Sequence, residues 1–433
     1  MIYKNAMVQR RLTVVLVSAA GLLFPPALAS AQTSCPSTQV LCSDTTKLPG
    51  PIYMAGSSAF EPILGQLAVQ IAAKFGITIL YSPISSCSGV ASIFNDPALG
   101  FGTAPSPLSG TPHYYVPNLV DPTRVDYCSC NLSGPTIYAS LGVSDVAAES
   151  CFPSSRPVTV GEWFGPQQAM LIVVPESNLT LTAISAEQAG VIWGCGQMGG
   201  FSTFLDDNLI QQRSSSSGTQ IQVARNIGSI DSSGNYRTVP ESAFKGHPNA
   251  SSSAMLTSIV SSISPQATIG FLANDVYSTH RAQLNAVAFR GLGQKKAYYA
   301  DSDSIADDLL NVREGRYMIQ GPLHLFAPVT DGKPVASTAK MIDWLTGAVT
   351  VDSADPSSYV RTVATNGAVP QCAMKVKLSK DGGYFSPYTP PVPCNCAFAR
   401  AKSLPIATGT CKPCGSDTTL CPSGTHCNFG YCE

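Results

Sequence analysis

Residues 51–81 constrain the fold more than any other stretch of this chain. Residues 51–54 read as a strand, and Gly56-Ser57-Ser58-Ala59-Phe60-Glu61-Pro62 as a turn into a helix. Ile63, Leu64, Leu67, Ala68, Ile71, Ala72 and Phe75 then recur at helical spacing, Gly76 stops the run, and 77–81 is a β-rich segment. Pro62 suits the first helical turn, where its missing N–H costs little. Strand, loop, helix and strand in this order form a β-α-β unit. Such a unit requires a parallel sheet, with ligand loops at the carboxyl ends of its strands.

Two more loops of similar chemistry follow. Ser85-Ser86-Cys87-Ser88-Gly89-Val90 leads into 91–94, and Arg213-Ser214-Ser215-Ser216-Ser217-Gly218-Thr219 precedes a helix-like run at 220–227. The first N–H groups of a helix are unpaired and carry the positive end of its dipole, so they attract anions. Ser217 and Thr219 add hydroxyl donors, Gly218 lets an oxyanion approach the backbone, and Arg213 offers a charged fork. Taken singly, such a loop reads first as a serine-rich helix cap. Their recurrence in order favours an anion site.

Further along, 99–103 reads as a short strand followed by a loop at 104–107, and 110–160 is rich in Pro, Ser and Cys with little periodicity. That segment is expected to be a disulfide-held connection into a second lobe. Strands are expected at 169–174, 268–272 and 317–327, the last with Pro322 at a bend or edge. Helices are expected at 186–193, 252–263, 303–313 and 336–345, with Met341 and Trp344 on a core face.

The N-terminus has the form of an export leader: basic Lys4, Arg10 and Arg11, an apolar run at 12–24, and small residues Ala29-Ser30-Ala31 before Gln32. The apolar run is too short to span a bilayer, no later segment reads as a span, and no lipobox precedes Cys35. Without the leader the charge balance is 23 basic to 27 acidic residues, a net of about −4. No basic block remains, which argues against nucleic acid as partner. All 15 cysteines lie beyond the leader, so disulfides are expected, with one thiol left over. Cys35 and Cys42 are expected to close a small local loop, the eight cysteines from Cys372 onward to pair among themselves, and the odd thiol to be one of Cys87, Cys128, Cys130, Cys151 and Cys195.

The three loops resemble the anion loops of periplasmic phosphate-binding proteins that serve ABC transporters. Phe101-Gly102, Ile192-Trp193-Gly194, Thr268-Ile269-Gly270-Phe271 and Gly367-Ala368-Val369-Pro370 extend the likeness in sequence order over about 50–370. The resemblance implies a two-lobed type II periplasmic-binding-protein α/β fold with two interlobe crossovers. It also implies a ligand-binding set: the Ser58 hydroxyl, the Ala59 N–H, the Ser86 hydroxyl, Arg213, and Ser217, Gly218 and Thr219 at a helix start. Family members usually place an aspartate after the Phe-Gly strand, where it accepts the proton of hydrogen phosphate and repels sulfate. Here that position holds Pro105, so relaxed selectivity is expected, with Arg213 as the only charged ligand. The acidic residue often found within the Arg loop is also absent.

The expected organisation is a leader at 1–31, a lead-in at 32–49, a phosphate-binding-protein-like domain at 50–370 and a Pro/Cys-rich module at 371–433. Lobe one is expected at about 50–110 and 290–370, and lobe two at about 111–289. The five histidines are scattered, and neither H-E-x-x-H nor G-x-S-x-G occurs, so no catalytic residues are assigned. Asp301, Asp303, Asp307 and Asp308 lack the pattern of a calcium loop, and Cys411-x-x-Cys414 with His426-Cys427 fits a disulfide knot better than zinc. No cofactor or metal is expected. The leading expectation is an exported, periplasmic or surface protein that captures phosphate or another tetrahedral oxyanion, implying an ABC permease as partner. The alternative is an envelope or surface interaction protein on the same scaffold, meeting its partner through the Cys-rich tail. A hydrolase of phosphate esters ranks third.

Overall fold

The computed structural model describes residues 34–94, 105–121, 123–152, 154–230, 233, 235–407 and 409–433. The leader and the expected strand at 99–103, including Phe101 and Gly102, lie outside them.

The β-α-β unit forms as expected. Strand β2 (Ile52–Gly56), helix α1 (Glu61–Phe75) and strand β3 (Ile79–Ser82) follow in order, and β2 pairs β3 in parallel from Ile52↔Ile79 to Ala55↔Ser82. Pro62 sits in the first turn of α1, and Gly76 ends it at φ 63°. The apolar stripe Ile63, Leu64, Leu67 and Ile71 is fully buried. Helix α2 (Ser86–Ala91) follows β3.

Three strands then extend this sheet: β4 (His113–Pro117), β5 (Val125–Asn131) and β6 (Leu141–Ser144). β4 pairs β3, β5 pairs β4, and β6 runs parallel to β2, while the short β1 (Val40–Leu41) lies beside β5. Segment 110–160, expected to be a disulfide-held connection into a second lobe, is held by disulfides and also supplies half of the first sheet. Its cysteines explain why its periodicity is poor. Cys128 and Cys130 spend two inward positions of β5 on Cys35 and Cys42, which overturns the expected Cys35–Cys42 loop. β5 lies against β1, so these cysteines meet across the strand pair instead of along the chain.

After the one-turn helix α3 (Ala148–Cys151), the 16-residue strand β7 (Val160–Pro175) leaves the first sheet and enters a second. Its first half pairs β16 (Gln320–Pro328); its second half pairs β13 (Gly270–Ala273) and β14 (Leu284–Ala286). β16 returns antiparallel beside it and joins β6, with a register shift between Pro322 and His324. The bend expected at Pro322 is thus present. Between the crossovers come β8 (Ala183–Ser185), α4 (Ala186–Cys195), β9 (Gln211–Gln212), α5 (Gly218–Asn226), β10 (Gly228–Ile230), β11 (Tyr236–Thr238), β12 (His247–Pro248), α6 (Ser252–Val260) and α7 (Asn274–Thr279). β15 (Ala288–Arg290) pairs back to β8. This is the mixed α/β arrangement with two crossovers that the resemblance implies. The exchange of partners, from β16 to β13 and β14, occurs inside β7 after Ala169.

The middle of the crossover pair is polar yet buried. Gln167 exchanges backbone hydrogen bonds with Val369, and its Nε2 donates to Gln320 Oε1 at 3.0 Å. Gln168 Nε2 donates to the Ala59 carbonyl at 3.2 Å. Buried amides of this kind need partners, and these partners fix how the two sheets meet.

Helices α8 (Leu310–Arg313), α9 (Ala336–Thr346) and α10 (Ser358–Thr365) complete the main body. α9 buries Met341 and Trp344 as expected. The helix expected at 303–313 shrinks to α8, because Asp303 caps a turn at Ile305 and Ala306 and Asp301 pairs with Arg281 at 2.7 Å.

The C-terminal region carries the hairpin β17 (Val376–Leu378) with β18 (Phe385–Pro387), helix α11 (Asn395–Ala401), and the hairpin β19 (Cys427–Asn428) with β20 (Tyr431–Cys432). The eight cysteines from Cys372 onward form four disulfides, Cys372–Cys394, Cys396–Cys411, Cys414–Cys427 and Cys421–Cys432. The module is not free-standing throughout. Met374, Cys394 and Phe398 belong to the main hydrophobic core, and Arg313 stacks its guanidinium 4.6 Å over the Phe398 ring.

Candidate functional site

The site is assembled from strand ends and helix starts. β2 ends at Gly56, and Ser57 turns the chain: its hydroxyl accepts the Ala59 N–H at 3.2 Å and donates to Asp145 Oδ2 at 2.7 Å. β3 leads to Ser85, whose hydroxyl caps α2 at Ser88 N–H. Ser86 opens that helix, and its hydroxyl donates to the same Asp145 oxygen at 3.1 Å. Gly89 allows α2 to sit this low on the sheet, since a Cβ there would come within 2.3 Å of the Val143 carbonyl.

Asp145 directly follows β6. The Ser144 hydroxyl donates to the Val146 carbonyl at 2.7 Å and accepts its N–H at 3.1 Å, a tight turn that aims the Asp145 side chain inward. From the second sheet, α5 begins at Gly218 with Ser217 as its N-cap residue, and the Ser217 side chain makes no cap bond. A Cβ on Gly218 would lie 2.2 Å from Ser86 Oγ and 2.8 Å from Asp145 Oδ2, so only glycine fits. The Cys87 N–H donates to the Ser216 carbonyl at 3.3 Å, and Gln222 Nε2 to the Asp145 carbonyl at 3.0 Å. Loops from both sheets therefore touch at this point.

Arg213 is buried. Its N–H donates to Gln220 Oε1 at 2.7 Å and Nη1 to the Ser252 hydroxyl at 2.6 Å, while Nε has no protein partner. Burial pulls its pKa down to about 10, with Asp145 opposing the shift, so it stays charged at neutral pH. Asp145 is pushed up by burial, against the pull of the Ser57 and Ser86 hydroxyls, Arg213 and His324. Its Oδ1 is buried without a partner. A deeply buried polar atom of this kind is costly unless something binds it.

Ser57, Ser58, Ser85, Ser86, Asp145, Arg213, Ser217, Gly218 and Thr219 line one small cavity, about 170 Å³ counting its open mouth. Of the residues expected from the sequence, Ser58, Ser86, Arg213, Ser217, Gly218 and Thr219 come together here. Ala59 does not line it, and its N–H is already taken by Ser57. Pro105 is exposed, apart from the residues lining the site. Asp145 brings a carboxylate to this cavity, so Arg213 is not the only charged group lining it. Ser57, Ser85 and Asp145 were not expected. A tight Ser-Asp turn after the apolar run 141–143 was the available signal, hidden by the cysteine-rich context.

Chemically, the cavity offers hydroxyl donors, N–H groups at the start of α5, one guanidinium and one buried carboxylate. That suits a small anion carrying a proton. The sulfur atoms of Cys414, Cys421 and Cys432 lie close together, but all three residues are tied up in disulfides.

No family model and no curated protein sequence matches the chain. Solved structures do. A putative phosphate ABC transporter substrate-binding protein with bound phosphate from Clostridium perfringens is 12% identical, with a TM-score of 0.45 over 74% of this chain and 99% of that one. An ABC-type phosphate transport receptor from Vibrio cholerae is 16% identical, with a TM-score of 0.43 over 73% of this chain and 99% of that one. A DING protein is 11% identical, with a TM-score of 0.45 over 74% and 90%. Likeness at this level says nothing about ligand or partner.

Proposed function

We propose that the chain is a solute-binding protein that captures inorganic phosphate, or an oxyanion of the same shape and protonation, at the cavity around Asp145 and Arg213. The observation that carries this reading is the buried, unpartnered Oδ1 of Asp145, a residue lining a cavity otherwise rich in donors. Ser58, Ser86, Ser217 and Thr219, with the N–H groups at Gly218 and Thr219, would donate to the anion oxygens. Arg213 would balance its charge. Asp145 would accept the proton of hydrogen phosphate. Sulfate carries no such proton at neutral pH and would face two unpaired oxygens in a dry site, a penalty of several kcal/mol. Selectivity should accordingly be tight, not relaxed.

Ligand entry would be a hinge motion of one lobe against the other, with β7 and β16 bending near their polar midpoint at Gln167 and Gln320. The lobes would then divide within these two strands, the first lobe including 113–144. Delivery to an ABC permease is the finer reading suggested by the three-loop resemblance. Seven disulfides support an exported setting. Among the described residues no helix is long and apolar enough to cross a membrane.

The test is calorimetric titration of the purified chain with phosphate. Saturable one-to-one binding that is lost in Arg213→Ala, with the unfolding transition retained, supports the reading. No heat with phosphate or arsenate would sink it.

A further inference from the structure

We infer that Asp381, in the C-terminal extension, is a positioning residue for Asp145, making the tail a working part of the anion site. This rests on the oxyanion reading above. The β17–β18 hairpin carries Asp381 in its loop, and that loop returns to the first sheet behind the site. Asp381 Oδ2 accepts the Ala147 N–H at 2.7 Å and the Ser150 hydroxyl at 2.6 Å. Ala147 lies two residues after Asp145. The turn that aims Asp145 is thus held at its start by Ser144, at its end by Cys151 through the disulfide to Cys87, and in its middle by the tail.

The other oxygen of Asp381 faces β16. It lies 3.6 Å from His324 Nε2, and His324 Nδ1 meets Glu162 Oε1 of β7 at 2.7 Å. Arg156 Nη2 stands 3.6 Å from Glu162, the rings of Phe164 and Phe326 flank the imidazole, and Glu149 and Lys380 line the same crevice. The next residue, Gly382, sits against α5, where a Cβ would come 3.1 Å from Arg225 Cβ. One loop of the tail therefore touches the turn carrying Asp145, the crossover strand β16, and the helix whose start frames the anion. A carboxylate that accepts two donors of one turn fixes its geometry as outer-shell partners fix a metal ligand, where their loss costs about 10- to 100-fold in affinity.

The experiment compares phosphate and sulfate titrations of the full chain with Asp381→Ala, Asp381→Asn and Ser150→Ala, using Tyr384→Ala on the exposed hairpin as control. Asp381→Ala should weaken phosphate about tenfold or more and erode the preference over sulfate. Asp381→Asn keeps an acceptor for Ala147 and Ser150, so it should restore most of the affinity even though the His324 imidazole, followed by NMR, titrates lower in both variants. Ser150→Ala should fall in between. Wild-type affinity and preference in a folded Asp381→Ala would overturn the inference. If Asp381→Ala does not fold, Ser150→Ala decides: unchanged preference counts against it. If the wild-type chain takes up no phosphate, the site reading fails separately. Amide exchange at Asp145 then decides: faster exchange in Asp381→Ala than in Asp381→Asn supports positioning, and unchanged exchange in Asp381→Ala contradicts it.

Discussion

Ser86 and Asp145 are linked twice: the serine hydroxyl donates to the carboxylate at 3.1 Å and accepts the Asp145 N–H at 3.2 Å. This reciprocal pair joins the start of α2 to the end of β6, two elements 59 residues apart. It leaves Oδ2 of the carboxylate satisfied by two serine hydroxyls and Oδ1 buried without a partner. The second sheet reaches the same point through Gly218, so the pair is where the loops of both sheets are brought into register.

Gly218→Ala should disrupt that register. The added Cβ meets Ser86 Oγ and the Asp145 side chain, none of them free to retreat in a packed site. The cost should be about 1–3 kcal/mol, as for other overpacked positions. Thermal unfolding and phosphate titration of the variant should both show the loss. Wild-type values in both would mean that α5 does not approach so closely.

Asp145→Asn should stabilise the ligand-free chain near neutral pH. The folded-state pKa of Asp145 is raised by burial, so the ionised form is disfavoured relative to the unfolded chain. A raised carboxyl contributes no penalty below its ordinary value, and the penalty grows as pH rises through the folded value. The stability difference between Asn and Asp should therefore widen from acid to neutral pH, reaching about 1–3 kcal/mol. Chemical denaturation at several pH values measures it, and a difference of the opposite slope contradicts it.

His324 predicts a second pH dependence. Burial alone would lower its pKa, but Asp381 and Glu162 outweigh it and raise the value to about 9. Its contribution to stability should be fully present below the ordinary histidine range and lost as pH rises through about 9. Asp381 is held below the usual carboxylate range, His324 and its hydrogen-bond donors outweighing its own burial, and its contribution should be lost in acid. His324→Gln should flatten the alkaline limb of the stability profile while leaving the acid limb of unrelated carboxylates in place.

Cys195 is exposed and is the one cysteine outside the seven disulfides. Alkylation under native conditions followed by mass spectrometry should find a single modified thiol, at that residue. Two or more would contradict the pairing of Cys35 with Cys128 and Cys42 with Cys130.

Much of this site was legible because its donors lie on contiguous motifs. Ser86, Arg213 and Ser217 through Thr219 sit at helix starts whose signals are local: a hydroxyl, a glycine, then an apolar helical run. Asp145 was not legible, because nothing within ten residues of it reports that Ser57 and Ser86 will meet it. That meeting depends on β6 pairing with β2, which is a long-range event. The expected Cys35–Cys42 loop failed for the same reason. β4 and β5 fold back on the first sheet, and cysteines in strands were read as cysteines in a loop. The Ala59 N–H, expected to face a ligand, donates to the neighbouring Ser57 hydroxyl, a local cap that the sequence also allows.

The most direct measurement is the ratio of phosphate to sulfate affinity in the wild-type chain and in Asp145→Asn, by titration near neutral pH. The account predicts strong preference for phosphate in the wild type and a preference reduced by about 100-fold or more in the variant, since a buried unpaired charge is what rejects sulfate. Equal affinities for the two anions in the wild-type chain, or a preference untouched by the substitution, would contradict it.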